Sequence, residues 1–75
     1  LRENAYNLQY LVGDRIDFLF NEGQLNLSGI VIKKYTHSCL VDISQDTELT
    51  RDEIDLYNQK VVVNYKQIKG VVHCG

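Results

Sequence analysis

The side chains of this chain best suited to hold a metal or attack a substrate are its two cysteines and two histidines. His37 and Cys39 stand two apart, so on a strand they share one face, and their types fit half of a Cys₂His₂ zinc site. The other half fails on spacing. His73 and Cys74 are adjacent and would point to opposite faces, and neither pair has the C-x₂-C or H-x₃-H reach that tetrahedral ligation needs. No metal and no cofactor is expected. As a nucleophile, Cys39 would need a thiolate open to substrate, with His37 as the local base. It alternates with Val41 and Ile43, which turns it toward a core where thiols are inert, so an enzyme using Cys39 is the minor reading. Asp46 with Glu48, or Asp52 with Asp55, could be drawn as acid and base. Their solvated loop offers no desolvation to separate the two pKa values of either pair.

Binding chemistry is better represented. Lys33, Lys34 and Tyr35, and then Tyr65, Lys66 and Lys69, interleave bases with aromatics, the composition of a contact surface for protein or single-stranded nucleic acid. The net charge of −2 and a pI near 5.5 argue against a ligand held mainly through phosphates. A protein partner is therefore favoured, with RNA or DNA as the alternative. Tyr57 is a third tyrosine expected near a turn. The charges are uneven: Asp42, Asp46, Glu48, Asp52, Glu53 and Asp55 face one base, Arg51, whereas Lys60, Lys66 and Lys69 leave the final segment positive, so the folded molecule should be bipolar.

The elements that must position these residues are short. With 75 residues the chain is one domain or a fragment of one, burying only about three-fifths of its surface. No apolar run exceeds three residues, which excludes a membrane-spanning helix, and nothing resembles an export signal, so the expected setting is cytoplasmic. Asp14 to Phe20 alternates with Ile16, Phe18 and Phe20 on one side, the period of a half-buried strand. Asn21 to Gln24 supplies turn residues, and Leu25 to Tyr35 resumes as a long strand. Gly29 inside it marks a bulge or sharp bend, and Ile30 and Ile32 opposite Val31 make it apolar on both faces, as a central strand would be. Thr36-His37 turns the chain into Ser38 to Ile43.

Thr50-Arg51-Asp52-Glu53 then matches a capping box, with Leu49 and Ile54 at the hydrophobic-staple positions, predicting a helical turn over Thr50 to Leu56. Val61-Val62-Val63 is the strongest short β signal, followed by a turn at Asn64 to Gln67 and a last strand from Ile68 to His73. Leu1, Ala5, Leu8 and Val12 fit a short N-terminal helix ended by Gly13, in preference to a strand. The expected core is Ile16, Phe18, Val31, Cys39, Val41, Ile43, Val61, Val63 and Ile68.

Five short strands, a glycine-bent second strand and a helical turn before the fourth make the fold class all-β, a five-stranded SH3-like small barrel over residues 13–73 with an N-terminal extension over 1–12. Val12-Gly13-Asp14-Arg15-Ile16-Asp17-Phe18, Gly29-Ile30-Val31, Ser38-Cys39-Leu40-Val41-Asp42-Ile43 and Val62-Val63-Asn64-Tyr65-Lys66-Gln67-Ile68 together resemble the YkvS-like family of small uncharacterised Firmicute proteins, which is KOW-like. The resemblance implies the barrel, a bacterial source and an intracellular setting, and no known activity. The chain departs from the family in a longer Phe18 to Gly29 loop, in Tyr65 where the family has histidine, and in Lys34 where a KOW-like strand prefers an apolar residue. The functional expectation is a non-enzymatic binding module, and the unpaired edges of so small a sheet make a weak homodimer an accompanying expectation.

Overall fold

The second strand organises the molecule, because its two halves pair with different neighbours. In the computed structural model, which describes residues 2–72, β1 is Arg15–Phe20, β2 Leu25–Lys34, β3 Ser38–Asp42, β4 Lys60–Asn64 and β5 Ile68–Val71. They form one antiparallel five-stranded sheet in the order β4-β3-β2-β1-β5. The first half of β2 pairs with β1, from Leu25 opposite Phe20 to Ile30 opposite Arg15. The second half pairs with β3, from Ile30 opposite Asp42 to Lys34 opposite Cys39. The all-β expectation therefore holds, with the sheet bent in the manner of a small barrel.

Gly29 is needed at the bend for space. A Cβ there would meet Val41 Cγ1 at 2.5 Å and would collide with the Asp42 carbonyl oxygen. Just beyond it the register shifts between Val31 and Lys33, so Ile32 is the extra residue of a bulge. β2 is central in the sheet, as expected, but its outer apolar face is uncovered by the described residues: Ile30 is only half-buried and Ile32 is exposed.

The inward faces follow the alternation read from the sequence. Ile16, Phe18, Val31, Cys39, Val41, Ile43, Val61 and Val63 are all buried, and a residue such as Phe18 contributes about 2–3 kcal/mol when removed from water. Ile68 lies half-buried at the margin, since β5 is an edge strand. Leu27, Leu49, Ile54, Tyr10 and Tyr65 complete the core.

The helix α1 (Arg51–Leu56) starts where the capping box predicts. Thr50 Oγ1 accepts from the Glu53 amide at 3.2 Å and Glu53 Oε1 accepts from the Thr50 amide at 3.0 Å, while Leu49 and Ile54 bury the staple. At the N-terminus only a single 3₁₀ turn, Asn7–Gln9, forms. The short helix expected there is corrected to that turn, because the stripe that suggested it does not pack: Leu8 and Val12 are exposed, and Tyr10 is the buried residue. Leu1, His73 and Cys74 lie outside the described residues, so the second half of the zinc reading and the end of the last strand lie there too. No helix among the described residues is long and apolar enough to cross a membrane.

Candidate functional site

The β2–β3 turn brings the basic and aromatic residues to one end of the sheet. Tyr35 and Ser38 close the turn through the Tyr35 amide and the Ser38 carbonyl at 2.8 Å, and the Tyr65 amide donates to the His37 carbonyl at 3.2 Å. The one-turn 3₁₀ helix Tyr65–Gln67, which links β4 to β5, is thereby fastened beside that turn. Asn64 starts it: its side-chain oxygen accepts from the Lys66 amide at 2.9 Å. Lys33 and Lys34 end β2 on the same side. β3 runs from Ser38 beside this group to Asp42, where the acidic segment begins, but Lys60 lies opposite Asp42, so the lysines of the final segment are not all gathered at the basic end.

The N-terminal segment supplies a wall that sequence reading missed. Asn4 Nδ2 donates to the Thr36 carbonyl at 2.8 Å, and Asn7 Nδ2 donates to the Thr36 and Arg2 carbonyls at 3.1 and 2.7 Å. Asn7 is almost wholly buried, and its Oδ1 accepts from the Asn4 amide. Asn4 Oδ1 in turn accepts from the amides of Tyr6 and Asn7. These bonds hold Tyr6 beside Lys66, whose ammonium lies 5.9 Å from the centre of the Tyr6 ring. The asparagine pair at i, i+3 was the available signal, but its partner is a carbonyl some thirty residues away, about which local sequence is silent.

Between these walls is a cleft of about 450 Å³ lined by Asn4, Tyr6, His37, Asn64, Tyr65 and Lys66. Among the described residues, no carboxylate side chain lines it. Lys66 and His37 are exposed there, whereas the amide of Asn4 is already committed to the Thr36 turn. The cleft thus offers a cation, an imidazole and an aromatic face to an anionic or polar group.

The expected contact residues divide. Lys33 is exposed with its ammonium 5.6 Å from the Tyr35 ring centre, and Tyr35 is itself partly exposed. Lys66 is on the cleft, and Lys69 is exposed in β5. Lys34 is half-buried: the bulge at Ile32 changes the phase of β2 and sets Lys34 opposite Cys39. The expectation that the Tyr65 ring is displayed is corrected. Tyr65 is 2% exposed, stacks on Tyr10 with ring centres 5.8 Å apart, and donates from its hydroxyl to the Tyr35 carbonyl at 2.8 Å. Burial raises its pKa and that of Tyr10. It is a floor to the cleft, held by a conventional core contact. Tyr57, at the C-terminal end of α1, is partly exposed, its ring edge-on to Phe20.

Cys39 is fully buried, and burial pushes its thiol up to about 11 against a weaker opposite pull from Lys34. A thiol so placed is protonated at neutral pH and closed to substrate. Asp46 corrects the picture of a solvated acidic loop. It is buried, its Oδ2 accepts from the Ser28 amide at 2.7 Å, and its Oδ1 accepts from the amides of Glu48 and Leu49 at 2.7 and 3.1 Å. Since β3 stops opposite Ile30, the first half of β2 has no neighbour on that side, and Asp46 caps its exposed edge. Among the described residues no group of three or more His, Cys, Asp or Glu side chains could hold a metal ion.

A family model for DUF2187, described as an uncharacterized protein conserved in bacteria, matches residues 11–71. Comparison with curated proteins and with solved structures finds no match.

Proposed function

The chain belongs to that conserved bacterial family, and from this premise we propose that it is a non-enzymatic, cytoplasmic protein-binding module on an SH3-like barrel. The resemblance to YkvS-like, KOW-like proteins, which runs from Val12 to Ile68, falls inside the matched residues 11–71. The division of β2 between β1 and β3 at Ile30, next to the tightly packed Gly29, supports the barrel.

The observation that carries the reading is the cleft in which Lys66, His37 and Tyr6 converge, with no carboxylate side chain among the described residues that line it. Its partner is an acidic protein segment. Such a segment brings carboxylates to Lys66 and His37 and apolar stems to Tyr6, and the site sits on turns held by a rigid sheet, where binding residues concentrate. The burial of Cys39 supports binding over catalysis. The two lysine–aromatic pairs, Lys33 with Tyr35 and Lys66 with Tyr6, also suit stacked bases, so a nucleic-acid ligand is the second reading.

A pull-down from bacterial lysate, divided into nuclease-treated and untreated halves, separates the two. Partners that survive nuclease and moderate salt, and are lost with Tyr6→Ala and Lys66→Glu, support the protein reading. Partners that vanish with nuclease, or that bind with a steep salt dependence relieved by Lys66→Glu, replace it with the nucleic-acid reading.

A further inference from the structure

We propose that β4 is the surface through which two copies of this chain associate, as an antiparallel strand pair with its two-fold axis at Val62. The sheet ends at β4 on one side and β5 on the other. β5 is guarded in the ways edge strands usually are: it has four residues, its register with β1 is broken between Asp17 and Phe18, and it carries Lys69 and Gly70. β4 carries a lysine only at its first residue, Lys60, and has neither a glycine nor a break in register. Its five residues keep unbroken register with β3, and three consecutive valines occupy its centre.

The phase of the β3–β4 ladder decides which backbone groups are free. The Ile43 amide donates to the Gln59 carbonyl at 2.9 Å and the Tyr65 amide to the His37 carbonyl at 3.2 Å, bracketing the ladder at both ends. Antiparallel bonds alternate by two residues, so Val61 and Val63 bond to β3, and the amides and carbonyls of Val62 and Asn64 point away from it. The Lys60 amide is taken by the Tyr57 carbonyl, which leaves the Lys60 carbonyl on the same open edge. The Val62 side chain is 59% exposed. No described element covers this edge; it borders an open cleft of about 290 Å³ whose far wall is Leu19 to Glu22.

These groups are complementary to themselves. With the axis at Val62, each Val62 amide meets the Val62 carbonyl of the second copy, and each Asn64 amide meets the Lys60 carbonyl of the second copy. The two exposed valines become cross-strand neighbours. Lys60 falls opposite Asn64 and not opposite Lys60, so no like charges face each other, and a net charge of −2 per chain opposes association weakly. A slip of two residues in either direction leaves outward groups without partners, which selects this register.

Sedimentation velocity of the full chain with reductant, over a rising concentration series, is expected to pass from monomer to twice the monomer mass and stop there. Val62→Lys puts two like charges at the axis and is expected to weaken association about tenfold, while Val62→Thr preserves it. Far-UV circular dichroism checks that both variants keep the fold. In a Cys74→Ser background, Val62→Cys is expected to give a disulfide-linked dimer on mild oxidation and Lys69→Cys is not. A constant monomer mass, species larger than a dimer, equal weakening by Val62→Lys and Val62→Thr, or equal cross-linking from positions 62 and 69 would each overturn the proposal.

Discussion

The Tyr65 hydroxyl donates to the Tyr35 carbonyl at 2.8 Å, joining the turn after β4 to the end of β2 across thirty residues of chain. The bond uses the polar end of a ring that is otherwise core, stacked on Tyr10. Tyr65→Phe keeps the ring and strands the carbonyl, so it is expected to destabilise by about 1 kcal/mol, read as a lower urea midpoint with unchanged slope. Tyr65→Ala removes the ring as well and should lose about 3–5 kcal/mol, most of the stability of so small a domain.

Gly29 is confined by its neighbours. Because a Cβ would press on Val41 Cγ1 and the Asp42 carbonyl, Gly29→Ala must push β2 and β3 apart at the bend. The expected loss is about 2–3 kcal/mol in chemical denaturation. Gly70→Ala, with nothing within 4 Å of the added atom, serves as the control and should change stability by less than about 1 kcal/mol.

Asp46 is the buried member of the acidic segment. Asp46→Ala strands the amides of Ser28, Glu48 and Leu49, with an expected cost of about 2–4 kcal/mol. Glu48→Ala and Asp52→Ala remove exposed charges and should stay within about 0.5 kcal/mol of the parent. Hydrogen exchange at the Ser28 amide should quicken in Asp46→Ala and remain slow in the two controls.

Cys39 predicts an alkaline limit to stability. Its thiol ionises near 9.0 when unfolded and about 11 when folded, because burial disfavours the thiolate. The folded chain then holds a proton that the unfolded chain releases, so stability is complete below about pH 9 and falls as pH rises toward 11, by an amount of order 1–2 kcal/mol. Tyr10 and Tyr65, raised by burial, act in the same direction. Asp42 acts at the other extreme: the Ser44 amide lowers its pKa, so its contribution is lost as pH falls below the ordinary 3.8. Urea titrations at about pH 8 and about pH 10 should show the alkaline loss, reduced in Cys39→Ala. Iodoacetamide at neutral pH should label Cys39 at least about 100-fold more slowly in the folded than in the unfolded chain; rapid labelling would reopen catalysis by this thiol.

The sequence by itself determined the strands, the helix start and most of the core, because each rests on local chemistry. A period of two places Ile16 with Phe18 and Cys39 with Val41 and Ile43 whatever the strands pair with, and Thr50 and Glu53 close their capping box within one turn. Gly29 was legible as a bend because strands rarely carry glycine without a steric reason. Only the tertiary structure decided which polar and aromatic residues remain available. Asp46 looked like one of six solvated acids until the short β3 left the Ser28 amide needing an acceptor. Tyr65 looked like a displayed turn residue until its ring found Tyr10 and its hydroxyl found the Tyr35 carbonyl. A one-residue bulge at Ile32 set Lys34 beside Cys39, and Asn4 and Asn7 carried Tyr6 to Lys66 by bonding to Thr36. In each case the deciding partner is far away in sequence, and a hydrogen bond or ring contact has no periodic signature until the sheet brings its two sides within reach.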